Sequence, residues 1–412
     1  MPVRLQRLLY RPSSGAWQGR LCAGPVRAGR GSGARDSGLC RTLCAERIRA
    51  GAVPGMAPGR EGPFHHAHAA RRSPGMTMFD SVRAFEEALA TLPGPDESAR
   101  AAAAARQGQL TKPPGSLGRL EDIAIFLAGW QGCERPRIEQ ARAAVFAGNH
   151  GVVVHGVSAF PAAVTAQMVH NFEAGGAAIN ALSGAAGLDL VVVPLDLDRP
   201  TDDFTVGPAM SEADCLAALN AGAAVVTDGL DLLVLGEMGI GNSTAAAALS
   251  IRSFGGDPAD WVGPGTGVDA AGIGRKIAVV AAGLACHAGA PVTPFETLRR
   301  VGGREIVAIA GAVVAARHAR VPVVLDGFIC CSGVAPLAAA YPAVVAHCIA
   351  GHRSTEPGHG RLLDRLGLDP LLTLGMRLGE ASGAAVATGV IRAALAAHDR
   401  MATFAEAGVS GA

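Results

Sequence analysis

The stretch Leu232-Leu-Val-Leu-Gly-Glu-Met-Gly-Ile-Gly-Asn-Ser-Thr244 decides the fold. Four apolar residues running into glycines read as a strand buried on both faces, and Ala245–Leu249 behind them reads as the start of a helix. Gly239 and Gly241 permit a tight turn that brings backbone N–H groups close to a ligand, while Asn242, Ser243 or Thr244 can cap the helix. A helix N-terminus presented in this way suits an anion such as phosphate. A Walker A loop would need lysine where Asn242 stands, and a dinucleotide fingerprint a third glycine where Thr244 stands. A monophosphate therefore fits better than ATP or NAD. Glu237, at the mouth of the same turn, opposes anion binding; it has another task or is a solvated loop acid.

Outward from this stretch, helices are expected over Phe79–Leu92, Glu97–Gln109 and Arg119–Gly129. Ala141–Ala147 reads as a strand ending in Gly148-Asn-His-Gly151, Pro161–Leu182 as one helix with proline at its first position, and Leu188–Leu197 and Asp231–Leu235 as further strands. Downstream come a helix to Arg252, a second glycine loop Gly263–Gly267, helices Lys276–His287 and Arg304–His318, a strand Val321–Leu325, a strand-like Ala343–Ala350 and a long helix Ser382–His398. Strands alternating with helices predict a mainly parallel sheet covered on both faces. In such sheets ligands bind beyond the carboxyl ends of the strands. Gly148–Gly151, Gly236–Thr244, Asp326–Gly327 and Gly351–Gly358 all fall there, so one cleft can hold them.

With 49% hydrophobic, 17% charged and 4% aromatic residues the chain can bury a large aliphatic core, and no apolar run is long enough for a membrane span. Residues 1–75 differ. They hold 13 arginines against Asp36, Glu46 and Glu61, without periodicity, and are expected to be disordered. Such a start also fits a transit peptide or a nucleic-acid-binding arm, or a reading frame whose biological start is Met76 or Met78. Beyond residue 75 there are 23 basic and 32 acidic residues, a net charge of −9, which gives the body no global attraction for nucleic acid.

The nine cysteines show no paired metal spacing, and several, such as Cys330 and Cys331, lie in apolar strand-like runs, so a reduced cytoplasmic protein is expected. His352 and His359 flank Glu356, but Pro357 and Gly358 break the helical geometry of a His-Glu-x-x-His site, and neither metal nor cofactor is expected. Only Lys112 and Lys276 are lysines among 36 basic residues. Either both survive by chance, or a compact ammonium is needed where a planar guanidinium would not fit. In Met376-Arg-Leu-Gly-Glu-Ala-Ser-Gly383, Glu380 lies among Met376, Leu378 and alanines. Desolvation there raises a carboxyl pKa and makes a proton acceptor near neutrality, unless the residue merely caps the Ser382 helix.

Between residues 80 and 400 the chain resembles the nicotinate-nucleotide–dimethylbenzimidazole phosphoribosyltransferases. The resemblance rests on Lys112-Pro-Pro-Gly-Ser-Leu-Gly-Arg-Leu-Glu121, Ala147–Gly151, Gly156–Ser158, Val164-Thr165, Gly236–Thr244, Pro322–Gly327, Glu356–Gly358 and Met376–Gly383, in one order. It implies a homodimer with a Rossmann-like large domain over 131–360 and a small helical domain built from 76–130 and 361–412. It also implies transfer of the 5-phosphoribosyl group from nicotinate mononucleotide to 5,6-dimethylbenzimidazole, with Glu380 as proton acceptor and Glu237 and Lys276 at further active-site positions. Phosphate and ribose contacts are then expected from Gly239, Gly241, Asn242, Ser243, Thr244, Gly265, Gly267, Asp326 and Ser354. A flat apolar base pocket is expected from Phe160, Gln167, Met168, Met238, Met376 and Leu378. On the residues alone three rivals stand: a non-catalytic nucleotide-binding module, a P-loop NTPase that Asn242 disfavours, and an Arg-rich N-terminal arm binding nucleic acid.

Overall fold

The computed structural model describes residues 68–69 and 78–410. Six strands form one sheet: β1 (His68–Ala69), β2 (Ala141–Ala147), β3 (Asp189–Pro194), β4 (Leu232–Met238), β5 (Val323–Leu325) and β6 (Cys348–Ala350). Their order is β1-β3-β2-β4-β5-β6, with every neighbouring pair parallel. The chain thus runs outward from β2 in one direction to β3 and in the other through β4 to β6. The crevice between the carboxyl ends of β2 and β4 is the switch point where such sheets take ligands. These two strands pair from Ala141↔Leu232 to Ala147↔Met238, so both end at the same level, and Gly148 N–H donates to Met238 O.

Both faces of the sheet are covered because the strand sequences are largely apolar, Arg142 of β2, Asp189 of β3 and Glu237 of β4 being the charged exceptions. Leu233 and Leu235 of β4, Ala144 and Phe146 of β2 and Val323 and Leu325 of β5 enter one core. Leu232, Val234, Ala143, Val145 and Val324 enter a second core on the opposite face. Helices Glu212–Ala223 and Arg304–His318 pack closely on the first side, where a Cβ at Gly222 would overlap the carbonyl of Ala308 and one at Gly311 that of Leu219. Gly222→Ala is therefore expected to destabilise the protein by about 3 kcal/mol, the upper range for overpacking. A thermal unfolding midpoint equal to that of the unaltered chain would contradict it.

Several expectations need correction. Pro161–Leu182 is two helices, Ala163–Glu173 and Ala178–Ala186: Gly175 has φ +79°, and Asn180 turns its side chain back to Phe172 O and Ala177 N–H. Strand character in Ala343–Ala350 is confined to Cys348–Ala350, after a short 3-10 turn at Pro342–Val345. Cys330 and Cys331 lie on helix Phe328–Ala340 instead of a strand. Four helices were missed, two of them single turns at Pro258–Trp261 and Phe404–Ala407. Glu212–Ala223 is capped by Ser211 and Pro294–Val301 by Thr293, each accepting from the backbone N–H three residues on. His68 and Ala69, within the segment expected to be disordered, pair with Val191 and Val192 of β3; the remaining expectations for residues 1–75 lie outside the described residues. No helix among the described residues is long and apolar enough to cross a membrane.

Candidate active site

Strand β4 runs three residues further than expected, so Glu237 is a strand residue paired with Phe146 and buried, not a loop acid. After Met238 the chain turns through Gly239–Gly241 into helix Asn242–Phe254. Gly241, at φ +95°, is the N-cap; none of Asn242, Ser243 and Thr244 caps the helix. Asn242 instead donates from Nδ2 to Glu237 Oε2, and Ser243 Oγ accepts from Lys276 Nζ at 2.9 Å. Thr244 is buried. The turn is held from outside by Thr165, whose Oγ1 accepts from Ile240 N–H at 3.2 Å. Gly239–Ser243, Val157, Ser158, Pro264, Thr266 and Lys276 line a small pocket at the helix N-terminus. Backbone donors, a helix dipole and one ammonium converge there, the ingredients of a phosphate site.

Lys276 is almost fully buried on helix Ala270–Cys286, and burial pulls its pKa down to about 8. It also donates to Gly263 O at 2.7 Å. Of the two glycines expected to offer N–H groups from the second loop, Gly265 gives its own to Glu356 Oε1 at 3.0 Å, and Gly267 donates back to Pro264 O. Ser354 is buried beside His359, whose Nδ1 accepts from Ser354 N–H at 2.9 Å. Lys112, the other lysine, is buried against Glu121 at 2.7 Å.

Segment Met376–Gly383 closes the cleft from the far end of the chain. Glu380 and Ala381 adopt φ +61° and +64°, a conformation that costs a non-glycine residue energy and is held here by its surroundings. Glu380 N–H donates to Glu237 O at 3.1 Å, and Ala384 N–H to Asp326 Oδ1 at 2.9 Å. This close seating depends on missing side chains: a Cβ at Gly236 would overlap the Ala381 backbone, one at Gly351 would press on Ala384, and one at Gly383 on the His352 ring. Asp326, at the end of β5, thus anchors the helix behind Glu380 and lies 3.4 Å from His352 Nε2.

Burial, reinforced by Asp326, raises the Glu380 carboxyl to about 7. Its Oε2 has no partner among the described residues. Glu237 is held well above the usual carboxyl range, first by burial and then by Glu305 and Asp326. Glu305 was not expected here. It is wholly buried at the start of helix Arg304–His318, with Oε1 2.6 Å from His150 Nε2, beneath Gly148 and Gly239. Among the expected base-pocket residues, Met168 and Met238 are half-buried against the same core, and Met376 is half-buried. Phe160, Gln167 and Leu378 are exposed. Among the described residues no three His, Cys, Asp or Glu side chains cluster as metal ligands would.

Comparison with known proteins bears on this cleft. A family model described as phosphoribosyltransferase matches residues 92–409. A protein of Novosphingobium aromaticivorans named nicotinate-nucleotide–dimethylbenzimidazole phosphoribosyltransferase is 71% identical over 335 residues, covering 81% of this chain and 99% of that protein. A protein of Ruegeria pomeroyi with the same name is 58% identical over 326 residues, or 79% of this chain and 96% of its own. A crystal structure of the equally named protein of Thermus thermophilus superposes with a TM-score of 0.71 at 41% identity, covering 77% of this chain and all of that one.

Proposed function

Because the chain belongs to the nicotinate-nucleotide–dimethylbenzimidazole phosphoribosyltransferase family, we infer that its cleft moves a 5-phosphoribosyl group from nicotinate mononucleotide to 5,6-dimethylbenzimidazole. The products are α-ribazole 5′-phosphate and nicotinate, and the reaction serves assembly of the cobalamin nucleotide loop. The observation that carries the reading of the site is that β4 leads into a small, lysine-lined helix N-terminus while its Glu237 carbonyl accepts from the N–H of Glu380, whose buried carboxyl is poised near neutrality.

In this reading the 5′-phosphate sits on the Gly239–Ser243 turn and Lys276, with Ser354 and Gly267 at its margin. Nicotinate leaves C1′ as a benzimidazole nitrogen attacks from the opposite face, so the β-linkage becomes α through an oxocarbenium-like centre, by analogy with glycosidic cleavage. Attack places positive charge on the benzimidazole. Glu380 removes the N–H proton, leaving a neutral ring, and passes the proton to solvent. Its pKa matches that task, since a base works best when its pKa lies near the working pH. Glu237, with its proton retained by burial and neighbouring carboxylates, begins as a hydrogen-bonding group held by Asn242 and becomes a counter-charge only on ionising. Met168, Met238 and Met376, with Phe160, Gln167 and Leu378, form the proposed surroundings of the base. Fixed orientation of the two reactants supplies much of the rate.

The two-domain division and homodimer belong to the same proposal. In support of the division, Arg106 on helix Glu97–Gln107 donates to the carbonyls of His398, Asp399 and Met401, tying the two ends of the described chain together. Light scattering tests the dimer. A cytoplasmic setting fits the six unbridged cysteines of the described residues. Incubation with nicotinate mononucleotide and a panel of bases, following nicotinate release, tests the reaction. The expected kcat/KM rises with pH through about 7 as Glu380 loses its proton and falls above about 8 as Lys276 loses its own. A rate flat from about pH 6 to about pH 9 would refute these assignments.

A further inference from the structure

Glu356 precedes helix Pro357–Leu366; its motif carries part of the family resemblance, and the only role its residues suggested was a metal site that the neighbouring proline and glycine argue against. The structure gives it a different setting. Its carboxyl group is buried, with Oε1 accepting from Gly265 N–H at 3.0 Å and Oε2 packed against Gly263, where any Cβ would collide with it. The same region is closely packed: a Cβ at Gly263 would also meet Pro357, and one at Gly358 would meet Trp261 O. The Gly263 carbonyl in turn receives the Lys276 ammonium at 2.7 Å, whose second bond goes to Ser243 Oγ on the phosphate turn. An ammonium has three N–H donors, so one is left for a ligand in the pocket that Lys276 lines.

We propose that Glu356 is a positioning residue for phosphate recognition: its carboxylate clamps the Gly263–Gly267 loop through Gly265 N–H and supplies the counter-charge that keeps the buried Lys276 ammonium charged. This rests on the transferase reading of the cleft. Other charged groups around helix Ala270–Cys286 are engaged elsewhere. Arg252 donates to the carbonyls of His287, Ala290 and Pro291, Asp260 pairs with Arg361, Asp269 caps Gly272, Arg275 turns to Gly156 O, and His155 pairs with Asp203. Glu356 is the carboxylate whose charge raises the Lys276 pKa against its burial. On Glu356 itself, burial raises the pKa, while Lys276, Gly265 N–H and Arg377 oppose that rise.

The two roles separate by substitution. Glu356→Gln removes the charge; Glu356→Asp keeps it but is one methylene too short to reach Gly265. Steady-state kinetics with nicotinate mononucleotide and dimethylbenzimidazole, across pH, is the test. For Glu356→Gln we expect KM for the nucleotide to rise about tenfold with kcat within about twofold, and the alkaline limb of kcat/KM to begin about one pH unit lower, the scale of a lost charge–charge interaction. For Glu356→Asp the limb is expected where the unaltered enzyme has it, with KM still raised. Unchanged KM and an unmoved limb in Glu356→Gln would overturn the inference. If that variant does not fold, a wild-type KM in Glu356→Asp would overturn it equally. The unaltered enzyme is assayed alongside: failure to release nicotinate counts against the transferase reading, whereas an active enzyme with indifferent variants counts against the role of Glu356 alone.

Discussion

Glu380→Gln is expected to lower kcat by about 10²- to 10⁴-fold, the usual contribution of a positioned general base, while leaving the affinity for nicotinate mononucleotide within about threefold. The amide keeps the shape of the carboxyl group but cannot take the benzimidazole proton. Stability supplies a second readout. The folded protein raises the Glu380 pKa from 4.5 to about 7, so folding favours the protonated form. The associated stability is fully present below about pH 4.5 and is lost as pH rises through about 7. Glutamine resembles the protonated acid, and above pH 7 the variant should be more stable than the unaltered protein by up to about 3 kcal/mol. Measured turnover near the wild-type value would assign the proton transfer to another group. Denaturant unfolding at acid and alkaline pH checks the second readout.

Gly236→Ala should be as damaging to activity as loss of the base itself, although residue 236 contacts neither reactant in the proposed complex. The added methyl group would overlap the backbone at Ala381, and neither partner is a flexible side-chain end that could swing aside. Gly236 is locked in β4 between β2 and β5, so segment 379–383 must move. Its movement breaks the bond from Glu380 N–H to Glu237 O and carries the carboxyl group out of line. A misplacement on the order of 1 Å costs about a hundredfold in rate, and we expect at least that loss. A destabilisation of about 3 kcal/mol should accompany it. Full activity with an unchanged unfolding midpoint would show that the loop accommodates the methyl group.

What could be read from the letters alone followed from local physics. Val-, Leu- and Ala-rich runs ending in glycine marked β2, β4 and β5, and loops at their carboxyl ends lie around one cleft as the parallel arrangement requires. Helix Glu212–Ala223 escaped because its Asp, Cys and Asn residues blur the apolar stripe, although Ser211 and Asp214 offered a capping signal. The break at 174–177 depends on Asn180 reaching back to Phe172, a tertiary detail with no period of its own. In the cleft, Glu237, Lys276 and Glu380 stood out as charges in apolar or glycine-rich settings. Glu305 did not, and His150 and Glu356 stood out only within motifs and without their partners, because these depend on groups far away in sequence: Glu305 meets His150 across 155 positions, and Glu356 meets Gly265 across 91. The expected helix cap failed for a related reason. Asn242 and Ser243 carry capping side chains, but Asn242 is taken up by the buried Glu237 carboxyl and Ser243 by the Lys276 ammonium, partners that lie far off or off-period in the sequence.

Glu380 and Glu237 sit side by side in space yet about 140 residues apart along the polypeptide. During synthesis the ribosome therefore delivers the phosphate turn and most of the sheet well before the base. Until the final helix docks over Gly236 and Asp326, a nascent chain carries the turn proposed to hold the nucleotide without the carboxyl group proposed to consume it.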